Sequence, residues 1–180
     1  YKVRSAAGVI EINRTIQDVV NPPISGKKEL HIHDHIFREG DKVLQNKNTE
    51  VASNGDMGIL TEISEDKDGN PLARIVFPDG RSVLYEADQM DMVEHANAIT
   101  IHKSQGNECQ VVIIPWVWAF YKMLKRNILY TGITRAKQKV YLVGEKKAIT
   151  VAIKQESTGT RNTILAERIR YYIAKYEQPA

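Results

Sequence analysis

Two apolar runs, Val111-Val112-Ile113-Ile114 and residues 140–143, constrain this chain more than anything else in it. Apolar residues in unbroken succession mark a strand buried on both faces, the pattern of parallel sheets. The segment between them, residues 119–136, is long enough for a helix. Strand, helix, strand is the parallel βαβ unit, so the C-terminal part is expected to be α/β. The second run ends at Gly144. Helices are expected over 145–154 and 160–176, the latter with Ile164, Leu165, Ile169, Tyr172, Ile173 and Tyr176 on one side.

Upstream the pattern differs. Residues 7–20 carry Ile10, Ile12, Ile16, Val19 and Val20 at a spacing that suits an amphipathic helix. Asn21-Pro22-Pro23 ends it, because a residue before proline is pushed out of the helical region. From about residue 30 to 93 the apolar segments are short: 42–44, 58–63, 72–77, 82–85 and 90–93. Asn54-Gly55, Asp68-Gly69-Asn70-Pro71 and Pro78-Asp79-Gly80 separate them. Asp-Gly between apolar runs is a hairpin signal, and five such strands predict a small antiparallel barrel. The expected layout is therefore a parallel-sheet domain built from 1–27 and 94–180, interrupted by a barrel over 28–93.

Composition excludes several classes. The 180 residues are 42% hydrophobic and 26% charged, as in globular chains. The single cysteine, Cys109, forms no disulfide within the chain and suits a reducing compartment. No apolar run approaches the roughly 20 residues of a membrane helix, and the N-terminus has no secretory leader pattern. The chain starts at Tyr1 rather than Met and is expected to be part of a longer protein. A net charge of +3 conceals segregation. Residues 1–120 carry 12 Lys+Arg against 18 Asp+Glu, whereas residues 121–180 carry 13 against 4. A basic C-terminal third points to an anionic partner. The barrel itself, over residues 28–95, has 7 basic against 15 acidic residues.

Two segments carry chemistry: Ile99-Thr100-Ile101-His102-Lys103-Ser104-Gln105-Gly106-Asn107-Glu108, directly before the first run, and Asn127-Ile128-Leu129-Tyr130-Thr131-Gly132-Ile133-Thr134-Arg135-Ala136-Lys137, directly before the second. They resemble motifs V and VI of superfamily 1 helicases. The subgroup that the whole layout resembles is the RecD-like DNA helicases, which include the alpha subunit of exodeoxyribonuclease V. The resemblance implies a RecA-like second motor domain, a P-loop NTPase-type parallel sheet with helices, carrying an inserted SH3-like barrel. It further implies an ATP-dependent 5′-to-3′ helicase that works on single-stranded DNA, with ATP and Mg²⁺ bound between two motor domains. A bacterial, cytoplasmic and nucleoid-associated setting follows from the same resemblance.

Residue by residue, the resemblance puts Arg135 on the γ-phosphate as an arginine finger, where a planar cation stabilises the transferring phosphoryl group. The alternative is an arginine that complements a helix C-terminus. Gly106 would let backbone approach a phosphate, and Glu108 would accept from the ribose hydroxyl; alone, they read as a turn glycine and a solvated carboxylate. Thr100, His102, Lys103 and Ser104 resemble the DNA-facing part of motif V, whose donors bind phosphate and sugar without reading sequence. Tyr1-Lys2-Val3-Arg4 resembles the tail of motif IV, with Lys2 and Arg4 as alternative cations near ATP and frayed terminal residues as the competing account.

His31-Ile32-His33-Asp34-His35 is one residue short of a binuclear-hydrolase ligand run. His33 and His35 could share a strand face, yet no Cys or carboxylate motif completes a zinc site, so no metal is assigned. The aromatics Trp116, Trp118, Phe120 and Tyr121 are read as packing, and Lys122, Lys125 and Arg126 as a solvated helix face. No Gly-x-x-x-x-Gly-Lys-[Ser/Thr] segment occurs, and no apolar run ends in paired carboxylates. The chain is thus expected to supply half of an ATP site and to be inactive alone. The Mg²⁺ ligands and the N-terminal motor domain would lie elsewhere, and any nuclease activity in partner subunits. A non-catalytic nucleic-acid or protein-binding module derived from a helicase is the second reading.

Overall fold

The computed structural model describes residues 7–155 and 164–176. A first helix, α1 (Val9–Val20), leads into a hairpin of β1 (Glu29–Ile32) and β2 (His35–Arg38). Five strands follow: β3 (Lys42–Gln45), β4 (Met57–Glu65), β5 (Pro71–Val76), β6 (Ser82–Glu86) and β7 (Val93–His95). They form one antiparallel sheet in the order β6-β5-β4-β3-β7, with β7 crossing back to pair with β3. Phe37, Val43, Leu60, Ala73, Ile75, Tyr85 and Met90 fill its core, so the hairpin and the sheet share one interior.

One expectation changes here. Residues 90–93 are not a single strand: Gln89–Met92 form a 3-10 turn that the Asp88 carboxylate caps, and only Val93 begins β7. The turn buries Met90. The His31–His35 run forms the β1–β2 hairpin, turning at His33 with φ of 51°, and His31 and His33 are exposed. Side-chain stacking holds it. The Phe37 ring lies 4.5 Å from His95, and His35 lies 5.8 Å from Phe37 and 5.6 Å from His95.

Helix α1 forms where the spacing predicts a helix, with Ile10, Ile12 and Ile16 half-buried, but its most deeply buried residues are polar. Its buried residues are Asn13 and Gln17, while Val19 and Val20 are exposed. Asn13, Gln17 and Asn21 lie four residues apart and so share a face. Their amides enter the β unit. Asn21 Nδ2 and Gln17 Nε2 donate to Asp41 at 2.7 and 2.6 Å, and Gln17 also reaches the Ile36 carbonyl at 2.8 Å.

The C-terminal part is the expected βαβ unit. β8 (Cys109–Trp116) and β9 (Ala136–Gly144) pair in parallel, Val112 opposite Val140 and Ile114 opposite Leu142. The connection differs from one long helix over 119–136. A 3-10 segment at Trp118–Met123 breaks at Leu124 and Lys125, and α2 spans only Arg126–Ile133. The break buries Leu124. Burying a leucine gains about 1.5–3 kcal/mol, against about 1 kcal/mol for each helical hydrogen bond lost. Helix α3 (Lys146–Lys154) packs Ala148 and Ala152 onto this core, where Trp116 Nε1 donates to the Ala148 carbonyl at 3.2 Å. Trp116 and Phe120 pack as expected; Trp118 and Tyr121 are partly exposed and lie against each other.

The expectation that β8 is buried on both faces fails. Ile114 and Trp116 are buried, but Ile113 is 66% exposed, and Val111, Tyr141 and Val143 are exposed beside it. Among the described residues the sheet here has two strands and one covered face, because α2 and α3 lie on the side of Ile114. A final helix, α4 (Leu165–Tyr176), exposes Leu165, Ile169, Tyr172, Ile173 and Tyr176. The expected start of that helix at residue 160 lies outside the described residues.

Candidate functional site

The two chemistry-bearing segments meet at one end of the parallel pair. Residues 100–106 form successive turns, closed by Ser104 N–H on the Thr100 carbonyl (3.1 Å) and Gln105 N–H on His102 (3.2 Å). Gly106 has φ of 87°, with no heavy atom within 4 Å of where a Cβ would stand. The loop then enters β8, where Cys109 N–H donates to the Arg135 carbonyl at 2.9 Å. Arg135 itself follows the capping residue of α2, Thr134.

The Arg135 guanidinium is half-buried and bridges both segments. It donates to the carbonyls of Thr131 (3.3 Å) and Asn107 (3.4 Å) and to Thr134 Oγ1 (3.3 Å). Among the described residues no carboxylate pairs with it. An arginine oriented only by neutral acceptors keeps its full charge for an incoming anion. Glu108 lies beside it on the surface and pairs with Lys137 at 3.1 Å. The cluster sits at the N-terminal ends of β8 and β9, whereas open α/β sheets usually cradle their own ligand outside the C-terminal ends.

Sequence reasoning passed over Gly132. A Cβ there would stand 2.9 Å from Ile114 Cδ1 and 3.2 Å from Ile101 Cδ1. The missing side chain lets α2 lie close on β8 and on the first turn of the loop, which sets where Arg135 emerges. The signal was available: Thr131-Gly132-Ile133 puts glycine inside a helix, where it costs about 1 kcal/mol against alanine unless packing requires it.

The other end of the loop faces α1. Thr100 and Lys103 line a cleft of about 390 Å³ together with Asn13, Arg14, His35 and His95. The Lys103 ammonium donates to Glu94 Oε2 at 2.6 Å and to Asn46 Oδ1 at 2.7 Å, both on the β unit. His102 is exposed, and Ser104 Oγ turns inward to the Ile101 carbonyl at 2.7 Å. Asn13 fixes the lead-in. Its Oδ1 accepts from Ala98 N–H at 2.7 Å and its Nδ2 donates to the Ala98 carbonyl at 2.8 Å. Burial first, and the neighbouring His95 second, lower the His35 pKa. Thr100 and Lys103 thus come together on the cleft, Gly106, Glu108 and Arg135 on the far side, and one loop joins the two groups. Lys2 and Arg4 lie outside the described residues. Among the described residues no group of three or more His, Cys, Asp or Glu is placed to hold a metal ion. No helix there is long and apolar enough to cross a membrane.

Comparison with known proteins matches both halves of this architecture. The UvrD-like helicase C-terminal domain family matches residues 95–143, which contain both segments, β8 and all of β9 but its last residue. The SH3 domain of ATP-dependent RecD-like DNA helicases matches residues 12–77. The ATP-dependent RecD2 DNA helicase of Deinococcus radiodurans is 30% identical over 166 residues, 91% of this chain and 22% of that protein. The RecBCD enzyme subunit RecD of Mycolicibacterium smegmatis is 32% identical over 123 residues, 65% of this chain and 19% of that protein. The corresponding Mycobacterium tuberculosis subunit is 43% identical over 61 residues, 34% of this chain and 11% of that protein. An SH3 domain followed by a helicase C-terminal domain in one chain defines the class. The chain belongs to the RecD-like superfamily 1 DNA helicases, and it spans about a fifth of the length of the first two relatives.

Proposed function

We propose that this chain is the C-terminal part of an ATP-dependent 5′-to-3′ DNA helicase or translocase. In it, residues 1–27 and 94–180 build the second, RecA-like motor domain, and residues 28–93 are the inserted SH3-like barrel. The observation that carries this reading is Arg135: a half-buried guanidinium with no acidic partner among the described residues, aimed by the carbonyls of both motif segments. Its donor set fits the oxygens of a nucleoside triphosphate held by a first motor domain outside this chain. ATP supplies the phosphoryl group, and Mg²⁺ its charge neutralisation, with the Mg²⁺ ligands in that other domain.

This chain's residues then have separable tasks. Arg135 binds the γ-phosphate and stabilises its charge as the bond breaks. Gly106 leaves room for backbone to approach the nucleotide, and Glu108 accepts from the ribose. Lys2 or Arg4 supplies a second cation. Thr100, His102, Lys103 and Ser104 hold the sugar-phosphate backbone of single-stranded DNA. Because residues 100–108 form one short loop, a shift at the nucleotide end moves the DNA end. The open apolar face of β8 and β9 and the exposed Val19 and Val20 support the remaining motor elements packing there. Other repair or recombination nuclease subunits are candidate partners, since several relatives bear the name of a RecBCD subunit.

The test is the full-length protein on duplexes with a 5′ or a 3′ single-stranded tail. ATP-dependent unwinding is expected from the 5′ tail, and no ATP hydrolysis is expected from purified residues 1–180. DNA-stimulated turnover by the isolated chain, or a full-length protein that hydrolyses no ATP, overturns the reading; the latter outcome favours a binding module. His102→Ala in the full-length protein is expected to lower the DNA-stimulated rate about five-fold or more, the lower end of a site-to-site coupling. The KM for ATP should change little. A raised KM with intact stimulation contradicts the DNA-facing role.

A further inference from the structure

We propose that Glu94 of β7 is a positioning residue that holds Lys103 in place of a DNA phosphate, so that DNA must displace a carboxylate from its own binding lysine. The proposal rests on the DNA-facing role of the loop given above and adds how that contact is regulated.

The geometry is specific. Glu94 lies on β7, paired opposite Leu44 of β3. Asn46 stands one residue past β3, with its N–H on the Met92 carbonyl at 2.7 Å. These two acceptors take two of the three ammonium protons of Lys103 and leave the third without an acceptor among the described residues. The pair is not sequestered: the Lys103 side chain is 31% exposed and that of Glu94 is 42% exposed. Both line the cleft that Thr100 and Arg14 also border. A carboxylate and a phosphate oxygen present the same charge-assisted acceptor to an ammonium. Whichever takes Lys103 decides whether the loop is tied to the barrel or to nucleic acid.

The exchange has a readable signature. In the wild-type protein the phosphate replaces Glu94, and the released carboxylate recruits a cation, so this contact adds little to counterion release. With the carboxylate gone, the same contact steepens the salt dependence. Binding of the full-length protein to a fluorescent oligothymidylate, titrated across salt concentrations, tests this. Glu94→Gln keeps the side-chain shape and is expected to tighten binding about two- to five-fold, the worth of a partly exposed ion pair. The log–log salt slope should steepen by about 0.7, one single-strand phosphate contact. In a Lys103→Ala background Glu94→Gln should do neither. Glu62→Gln, which removes a barrel carboxylate paired instead with Arg74, serves as the control and should leave the slope unchanged. An unchanged slope in Glu94→Gln overturns the proposal, as does a gain of equal size in the Lys103→Ala background, which marks a general charge effect. A wild-type protein that fails to bind the oligonucleotide overturns the DNA-facing reading itself, a separate outcome.

Discussion

Arg135→Ala in the full-length protein is expected to lower kcat for ATP by about 1,000-fold or more, the lower end of what an arginine finger contributes. Single-stranded DNA binding should stay near wild type. The size of the loss separates the two accounts of this residue. As a structural bridge, Arg135 makes three hydrogen bonds of 3.3–3.4 Å to neutral acceptors. Bonds of that length cost about 1 kcal/mol each or less when lost, and the freed carbonyls lie at a half-open surface that water reaches. A stability change that small cannot remove three orders of magnitude of rate, which corresponds to about 4 kcal/mol of transition-state stabilisation. Arg135→Lys keeps the charge but loses the planar fork, so it should fall between wild type and alanine. Steady-state kinetics with thermal melting of the same preparations decides the matter. A variant that melts normally and still turns over ends the assignment.

Much of this site was legible because its signals are local. The βαβ unit announces itself in two unbroken apolar runs, and Gly69 and Gly80, both at positive φ, mark the turns between barrel strands. The two motif segments were legible as a resemblance, and their meeting at Arg135 and Asn107 follows from parallel pairing of the strands they precede. What stayed hidden is non-local. Periodicity marked α1 by its apolar residues and said nothing of Asn13 and Gln17, but burial goes to whichever face finds partners, and here the amides find Asp41 and Ala98. The histidine run gave no hairpin signal because its turn has no glycine, yet His35 and Phe37 stack on His95, about sixty residues away in sequence. The exposure of Ile113 could not be read from Val-Val-Ile-Ile, since an apolar run shows what a strand can bury and not whether its cover lies in the same chain. The Lys103–Glu94 contact ties the loop to β7, a strand that the sequence reading ended at residue 93.

Asp41→Ala is expected to cost about 3–5 kcal/mol of stability at neutral pH, the penalty for breaking a buried charged network from one side. Asp41 is 1% exposed and is the hub between α1 and the SH3 domain. Its carboxylate accepts from Gln17, from Asn21 and from Arg38 N–H at 2.6–2.7 Å, and it meets His95 Nε2 at 3.3 Å. Alanine leaves these donors facing one another in a site with little room for water. Asp41→Asn is nearly isosteric but turns an NH₂ toward other donors, so it too should destabilise, by less. The pH dependence carries the sign that identifies the mechanism. Burial alone would raise the Asp41 pKa, but the hydrogen bonds with His95, Asn21 and Arg38 N–H outweigh it and hold the carboxyl below its ordinary value of 3.8. A depressed folded-state pKa means that the unfolded chain takes up the proton first. The charge-dependent part of the stabilisation is therefore complete above about pH 4, the unfolded-state value. It is lost as pH falls through the lower folded-state value. Urea unfolding followed by circular dichroism should show wild type well above Asp41→Asn at pH 7, with the gap narrowing only below pH 4. A gap that stays constant across this range would make Asp41 a matter of shape rather than charge.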